Sequence, residues 1–394
     1  MWRHIASNAL TLLIVVTFLL GGLILWGKQQ YSGPGPLAEA ICLQVPPGSN
    51  MTRISRTLEA EGAISSGPIF RIGVDYDGKA DQLKAGSFRV PEGASMQEIA
   101  DIVTAGGGST CGTEILYRVG VTQTRMELRE FDPGREVFDT TVEFTPGVDE
   151  GEVPEAFAEA REQPGTRYRL AVAEGVTSWQ VVEALKAVEL LEGEVEVPAE
   201  GTLAPDSYEL RAGDTRASVI ARMQEAQEAL LAAAWESRVE DLPVESPEEL
   251  LTLASIIEKE TGVPEERRQV ASVFANRLNR GMRLQTDPTV IYGITQGQGV
   301  LGRGLRQSEL RGETPWNTYV IEGLPPTPIA NPGRASLEAA ARPAQTDCVF
   351  FVADGSGGHA FAATLAAHNR NVARWRAIED GATPPEIEGD GCAR

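Results

Sequence analysis

The sequence predicts an α+β protein held by an N-terminal transmembrane helix. Three observations carry that prediction. They are an uncharged apolar run at the amino end, four strand–turn–helix patterns before residue 240, and two strong helices after Ser246 set among polar, turn-rich segments.

The apolar run comes first. Residues 5–27 carry no charge, "ALTLLIVVTFLLGGLILWG" fills most of them, and Trp2 and Trp26 stand where interfacial aromatics lie. About 20 apolar residues span a bilayer core. A cleaved signal peptide would need a shorter apolar core and a small-x-small site close behind it. The nearest such triplet, Ala38-Glu39-Ala40, lies well past Trp26. A lipoprotein would need small residues directly before its cysteine, and Cys42 follows Glu39-Ala40-Ile41. An uncleaved anchor over 5–27 is expected, with residues 1–4 cytoplasmic, since Arg3 against Lys28 tilts the topology that way. Residues 28–41, including "YSGPGPLAEA", read as a linker.

Beyond the linker one pattern recurs: an extended piece, a Gly-containing turn, a Ser or Thr near a helix start, then an amphipathic helix. The copies are "LQVPPGSNMTRISRTLEAEGAI", "FRVPEGASMQEIADIVTAGGG", "LAVAEGVTSWQVVEALKAVELL" and, more loosely, "YELRAGDTRASVIARMQEAQEALL". Their irregular period excludes a solenoid. Between the second and third copies, "TEILYRVGVTQTRMELREF" and "REVFDTTVEFTP" alternate like strands, making residues 109–165 a β-rich insertion with no functional reading. Within it the acidic, Pro-bounded "DEGEVPEAFAEAREQPG" is expected at the surface.

Residues 166–246 are a strand–helix region leading into a core at 247–378, with an acidic tail at 379–394. "SPEELLTLASIIEKETG" is a helix capped by Ser246, with Glu248 and Glu249 in its first turn. "PEERRQVASVFANRLNRG" is a second helix, opened by Pro264 and closed by Gly281. "CVFFVADGSGGHAFAATLAAHN" is hairpin-like. Loop-rich segments built on two helices are where a cleft is made.

Composition narrows the function. The 394 residues suggest two or three domains, and 42% hydrophobic residues suffice for proper cores. A net charge of −21 argues against nucleic acid as a partner. The four cysteines form no CxxC and no zinc-like cluster with histidine. No P-loop, helix-opening GxGxxG, GxSxG or HExxH occurs. His359 and His368 lack the further donors a metal needs, so hydrogen bonding to sugar or backbone is the expected role of both.

The "EKE" triplet is the sharpest puzzle, because two acids stand where the helix dipole is negative. On a helical wheel Leu250, Leu251, Leu253, Ala254, Ile256 and Ile257 form one broad apolar face, and Lys259 points away from it. Glu258 and Glu260 fall on opposite margins, so they cannot act as a side-by-side pair. Position separates them: Glu260 is nearer the helix end, with Gly262 and Pro264 just beyond. The dipole and apolar neighbours both disfavour its ionised form, and a raised pKa suits a general acid at neutral pH.

"LASIIEKETGVPEERRQVASVFANRLNRGMRLQTDPTVIYG", followed by "ETPWNTYVIEGLPPTPIANPG", "FFVADGSGGHAF" and "HNRNV", resembles the YceG-like endolytic murein transglycosylases, the MltG family. The resemblance runs from "EGTLAPDSY" to about Trp375. It implies an anchored protein in the inner (plasma) membrane facing the external side, with a small LysM-like domain at 42–108 and a catalytic α+β domain. The implied activity is lytic cleavage of peptidoglycan glycan strands, terminating their elongation and leaving 1,6-anhydro-N-acetylmuramic acid ends. The family's acid falls on Glu260. The matching motifs further imply cleft roles for Asn276, Gln285, Thr286, Asp287, Tyr292, Asn317, Thr318, Tyr319 and His359. Penicillin-binding peptidoglycan synthases are the implied partners, and no metal or organic cofactor is implied. A crosslink between Cys42 and Cys111 would tie the ends of the LysM-like region together, whereas Cys348, heading an apolar run, is expected as a buried thiol. Two other readings stand beside the lytic one: a water-using muramidase and a non-catalytic wall-binding scaffold.

Overall fold

A computed structural model describes residues 2–105, 109–163, 165–383 and 392. The chain divides into two compact units, residues 1–116 with 126–168 and residues 117–125 with 169–394.

The first unit begins with α1 (Trp2–Ser32), which holds the one helix segment, Leu10–Ser32, long and apolar enough to cross a membrane among the described residues. Its 23 residues reach about 35 Å at 1.5 Å per residue, against a hydrocarbon core of about 30 Å. β1 (Ile41–Val45), α2 (Met51–Ala60), α3 (Gly67–Tyr76), β2 (Gly86–Val90) and α4 (Met96–Thr104) follow. β1 and β2 pair antiparallel with Leu43 opposite Phe88. The alternation of the strands sends Leu43, Val45, Phe88 and Val90 into a core with Ile54, Leu58, Phe70 and Ile99. The stretch expected as a linker takes part in that core: Tyr31 and Leu37 are buried in it, and the Tyr31 hydroxyl donates to Asp77 at 2.9 Å. The helix therefore runs on into the folded unit.

β3 (Thr113–Val119), β4 (Thr124–Asp132), β5 (Val137–Phe144), β6 (Arg167–Val172) and β7 (Ser207–Leu210) lie in the order β5-β4-β3-β6-β7. α5 (Glu155–Glu162) lies within "DEGEVPEAFAEAREQPG", most of which is exposed as expected; Phe157 and Ala160, three residues apart on one face, are its buried exceptions. Charge along the segment hid two apolar residues at helical spacing.

The second unit carries α6 (Ser178–Lys186), α7 (Arg216–Glu236), α8 (Pro247–Glu260), α9 (Arg267–Asn279), α10 (Asp287–Thr295), α11 (Gln307–Leu310), α12 (Arg334–Ala341), β8 (Phe350–Ala353), β9 (His359–Ala362) and α13 (Leu365–Glu379). The four strand–turn–helix patterns are β1–α2, β2–α4, β6–α6 and β7–α7. Each helix is capped by a side chain accepting from the backbone three residues on: Asn50, Ser95, Thr177 and Thr215. In the first copy the cap is Asn50, one residue past the serine.

α8 is the centre of this unit, packed by α7, α9, α10 and α12. Its Leu250, Leu253, Ile256 and Ile257 are fully buried, each contributing about 1.5–3 kcal/mol of transfer free energy. Even its polar Ser255 is buried, donating to Thr252 O at 2.7 Å and accepting from Ile329 N at 3.0 Å. The second helix starts later than Pro264 suggests. Residues 264–266 form a turn, and α9 opens at Arg267; Glu266 at its N-cap makes no side-chain cap and instead accepts from the distant His359 N.

Two disulfides are present, Cys42–Cys111 with Cα atoms 5.6 Å apart and Cys348–Cys392 at 5.4 Å. The second corrects the expectation of a buried Cys348 thiol. Cys348 is buried, and its partner comes from the far tail of the chain.

Candidate active site

Glu260 is the last residue of α8, whose course ends because Thr261 turns extended (φ −139°, ψ 130°). The Thr261 hydroxyl then accepts from Val263 N at 3.0 Å, fixing the exit turn. This places the Glu260 carboxyl against the segment leading into α10, where the Thr286 hydroxyl donates to its Oε1. Burial pushes the Glu260 pKa up, the Thr286 bond opposes it, Asp287 adds to it, and His359 and Arg277 draw it down. The net shift is upward.

Glu258 faces elsewhere. Its carboxylate accepts from Gly333 N at 3.0 Å, and the end of the Glu174 side chain lies where a Cβ on residue 333 would stand. Burial, and then the charge of Glu258, push the Glu174 pKa up. The wheel's outward Lys259 is also not a solvated surface group. Its ammonium donates to Gly175 O at 3.1 Å, and burial lowers its pKa, because the β6–α6 turn covers that side of α8.

The residues singled out in the sequence fall into distinct groups. Thr286, Asp287, Tyr319 and His359 cluster with Glu260: Tyr319 donates its hydroxyl to Asp287 Oδ1 at 2.7 Å, and His359 acts on the Glu260 charge. Thr318 and Asn317 are fully buried supports. Thr318 Oγ1 accepts from Thr286 N at 3.0 Å, and the Asn317 amide donates to the carbonyls of Glu309, Leu310 and Gly312. Asn276 donates to Thr346 O and Cys348 O at 2.8 and 2.9 Å, tying α9 to the extended segment that leads into β8. Gln285 is exposed with left-handed backbone (φ 51°), and its N–H donates to Thr318 O at 3.1 Å. Tyr292 turns to Glu200, donating at 3.2 Å. His368 stacks on Phe350 with ring centres 5.0 Å apart, and burial lowers its pKa.

Four further residues carry the site and were not singled out from sequence. Arg277 is a buried cation whose guanidinium donates to Val349 O and Leu284 O at 2.7 and 2.6 Å. Glu200 accepts from Ser178 N at 2.7 Å as well as from Tyr292, and burial raises its pKa. Asn331 is fully buried and links residues 176, 203 and 331 by backbone and amide bonds. Glu266 accepts from both His359 N and His359 Nδ1 at 2.9 Å. All four lie in segments quoted for the resemblance, but their partners do not show locally: the contacts of Arg277, Glu200 and Glu266 reach across 72, 92 and 93 residues of chain.

Two cavities are formed by this unit. The larger, about 550 Å³, opens beside the first turn of α8 at Glu248 and Pro325 and shares no lining residue with the Glu260 cluster. The smaller, about 400 Å³, is lined in part by His359. Chemically, a carboxyl whose protonated form is favoured by burial, with a hydroxyl fixed on one oxygen, is suited to proton donation followed by proton recovery.

A model of the YceG-like family matches residues 139–374, so the match begins inside β5, within the stretch read as an insertion. The chain is 29% identical over 361 residues to the endolytic murein transglycosylase of Bacillus subtilis, covering 89% of each. It is 30% identical over 340 residues to the protein of the same name from Streptococcus pneumoniae, covering 84% of this chain and 58% of that relative. A crystal structure of a YceG-like protein from Listeria monocytogenes shares 26% identity over 84% of this chain and 98% of that one, with a TM-score of 0.43. With more than half of its length matched by the family model, the chain belongs to the YceG-like family.

Proposed function

We propose that this protein is a membrane-anchored endolytic peptidoglycan lytic transglycosylase whose general acid and base is Glu260. The observation that carries the reading is the buried Glu260 carboxyl at the end of α8, bonded by Thr286 and shifted toward its protonated form. The names of the Bacillus and Streptococcus relatives support the same activity.

Glu260 gives its proton to the glycosidic oxygen, the C–O bond at the muramic acid C1 breaks, and positive charge develops there. The carboxylate then takes the proton of that sugar's own C6 hydroxyl, whose oxygen closes on C1. The proton returns to Glu260, the leaving strand keeps the first one, and a 1,6-anhydro ring remains. A single carboxyl suffices because the nucleophile is intramolecular, so no second group has to position water. Thr286, Asp287, Tyr319 and His359 act on the acid or substrate, while Asn276, Asn317 and Thr318 shape the loops that hold them. Gln285 and Tyr292 complete the proposed cleft set, Gln285 from the exposed rim and Tyr292 through Glu200.

α1 anchors the protein in the plasma membrane with the folded part outside the cytoplasm, residues 42–108 form a LysM-like wall-binding part, and cleavage terminates nascent strands made by neighbouring penicillin-binding synthases. The apolar Leu10–Ser32 segment and the paired disulfides support an external location.

Purified protein incubated with isolated sacculi should release muropeptides ending in 1,6-anhydro-muramic acid, detected by mass. Reducing ends instead would identify a water-using muramidase, and no cleavage would favour the scaffold. Alkaline phosphatase fused after residue 40 should be active, and a soluble product beginning near residue 41 would remove the anchor from the reading.

A further inference from the structure

The smaller cavity lies between the turn of the β8–β9 hairpin and the C-terminal part of α13. Gly355, Gly357, Gly358 and His359 line it from the hairpin and Trp375, Ile378 and Glu379 from α13, and His359 also belongs to the Glu260 cluster. The hairpin side is closely built. A side chain on Gly355 would press on Ile378 at 3.0 Å, and one on Gly358 would strike the Glu266 carboxylate. Glu266 accepts from His359 N and from His359 Nδ1, both at 2.9 Å, so the imidazole has its plane and tautomer fixed. Phe351 meets the same ring edge-on at 5.3 Å. With Nδ1 engaged, Nε2 is the nitrogen left to a ligand.

A pyranose presents a flat face of C–H bonds and a rim of hydroxyl and acetamide groups. Its complement is an aromatic face bordered by hydrogen-bonding groups and unobstructed backbone. Trp375, His359 Nε2 with Glu379, and the hairpin glycines supply those three parts. A volume of about 400 Å³ falls in the range of small-ligand sites, about 300–1,000 Å³.

We propose that this cavity is a saccharide subsite in which Trp375 stacks on an N-acetylated pyranose of the glycan strand, and that Glu266 is the positioning residue that aims His359 into it. The proposal rests on the lytic reading above and adds where the strand is held beside Glu260. The occupant is the sugar chain and not its peptide stems, since the offered groups are an aromatic face and neutral backbone, with one carboxylate.

The test uses the full chain in detergent, carrying Glu260→Gln to prevent turnover, titrated with soluble glycan strands stripped of their peptides by amidase. Trp375→Leu, which keeps apolar bulk, should weaken binding at least ~5-fold, and Trp375→Phe should restore most of it. Glu266→Gln in the active protein should raise KM more than it lowers kcat. Strand binding should also slow hydrogen exchange in residues 354–359 and 372–379 of the Glu260→Gln protein. That measurement stands even where a Trp375 variant misfolds. Unchanged affinity in Trp375→Leu, or no exchange protection in either segment, would overturn the subsite. So would a Trp375 effect seen only with peptide-bearing strands. Anhydro product from the active protein alongside any of these results would leave the lytic reading intact, whereas its absence would count against that reading instead.

Discussion

The Thr286 hydroxyl donates to the Glu260 carboxyl across 26 residues of chain, joining the end of α8 to the start of α10. A donor on a carboxylate favours its ionised form, so this bond works against the burial that raises the Glu260 pKa. In the proposed role the two effects balance: burial favours the protonated acid, and the Thr286 bond stabilises the carboxylate once the proton has gone. Thr286→Val keeps the shape and removes the donor. The Glu260 pKa should rise further, so the alkaline limb of the pH–rate profile should move to higher pH, with activity on its plateau reduced by roughly tenfold at most. A limb that stays in place, or moves down, would show that Thr286 does not act on this carboxyl.

Glu260→Gln retains an acceptor for Thr286 and loses the ability to cycle a proton. Anhydro-muropeptide formation should fall by ~10²-fold or more with the fold intact by circular dichroism. Glu258→Gln keeps a carbonyl for Gly333 N, so its activity should remain within about threefold. Equal harmlessness of the two would favour a scaffold. Loss on Glu258→Gln alone would place the acid on the other margin of the helix.

Stability should report the same carboxyl independently of turnover. Between the ordinary glutamate pKa of 4.5 and its raised folded value, the native protein keeps a proton that the unfolded chain has released. Stability therefore falls as pH rises through that window, and the full penalty is present above it. Glu260→Gln carries no such penalty and should melt above the parent by about 2 °C or more at pH 8, with the difference closing toward pH 4. A difference in melting temperature that is constant with pH would contradict a raised Glu260 pKa.

What was legible in the sequence divides along chain distance. The end of α8 is written locally, by Gly262 and Pro264 after a run of apolar residues, so the place of Glu260 at the helix end was legible. The capped strand–helix pairs were legible for the same reason. The wheel names no partner for Lys259 because it describes one helix alone, and the Gly175 carbonyl that takes its ammonium arrives from 84 residues away. Glu266 reads as an ordinary acid after a proline, and the 93 residues separating it from His359 contain nothing that announces the contact. Asn276 and Asn317, picked from dense polar motifs, proved to hold carbonyls of neighbouring loops, a need that motif density does not distinguish from ligand contact.

The disulfides allow a last prediction about compartment and stability together. Cys42–Cys111 closes a loop of 69 residues in the first unit, and Cys348–Cys392 closes one of 44 in the second, tying residue 392 to the segment leading into β8. Loop-closure arithmetic gives about 4 kcal/mol for each. Protein matured outside the cytoplasm should yield two crosslinked peptide pairs, 42 with 111 and 348 with 392, on non-reducing mapping. Replacing both cysteines of one pair by serine should lower the melting of the unit that holds it and leave the other unit's transition in place, followed by proteolysis at sites within each unit. The same chain made without its first 30 residues in a reducing cytoplasm should carry four free thiols and show both losses at once. Free thiols at all four positions in the exported protein would remove the crosslinks and, with them, the structural support for an external location. Crosslinks between 42 and 348, or 111 and 392, would instead mean that the two units do not close on themselves.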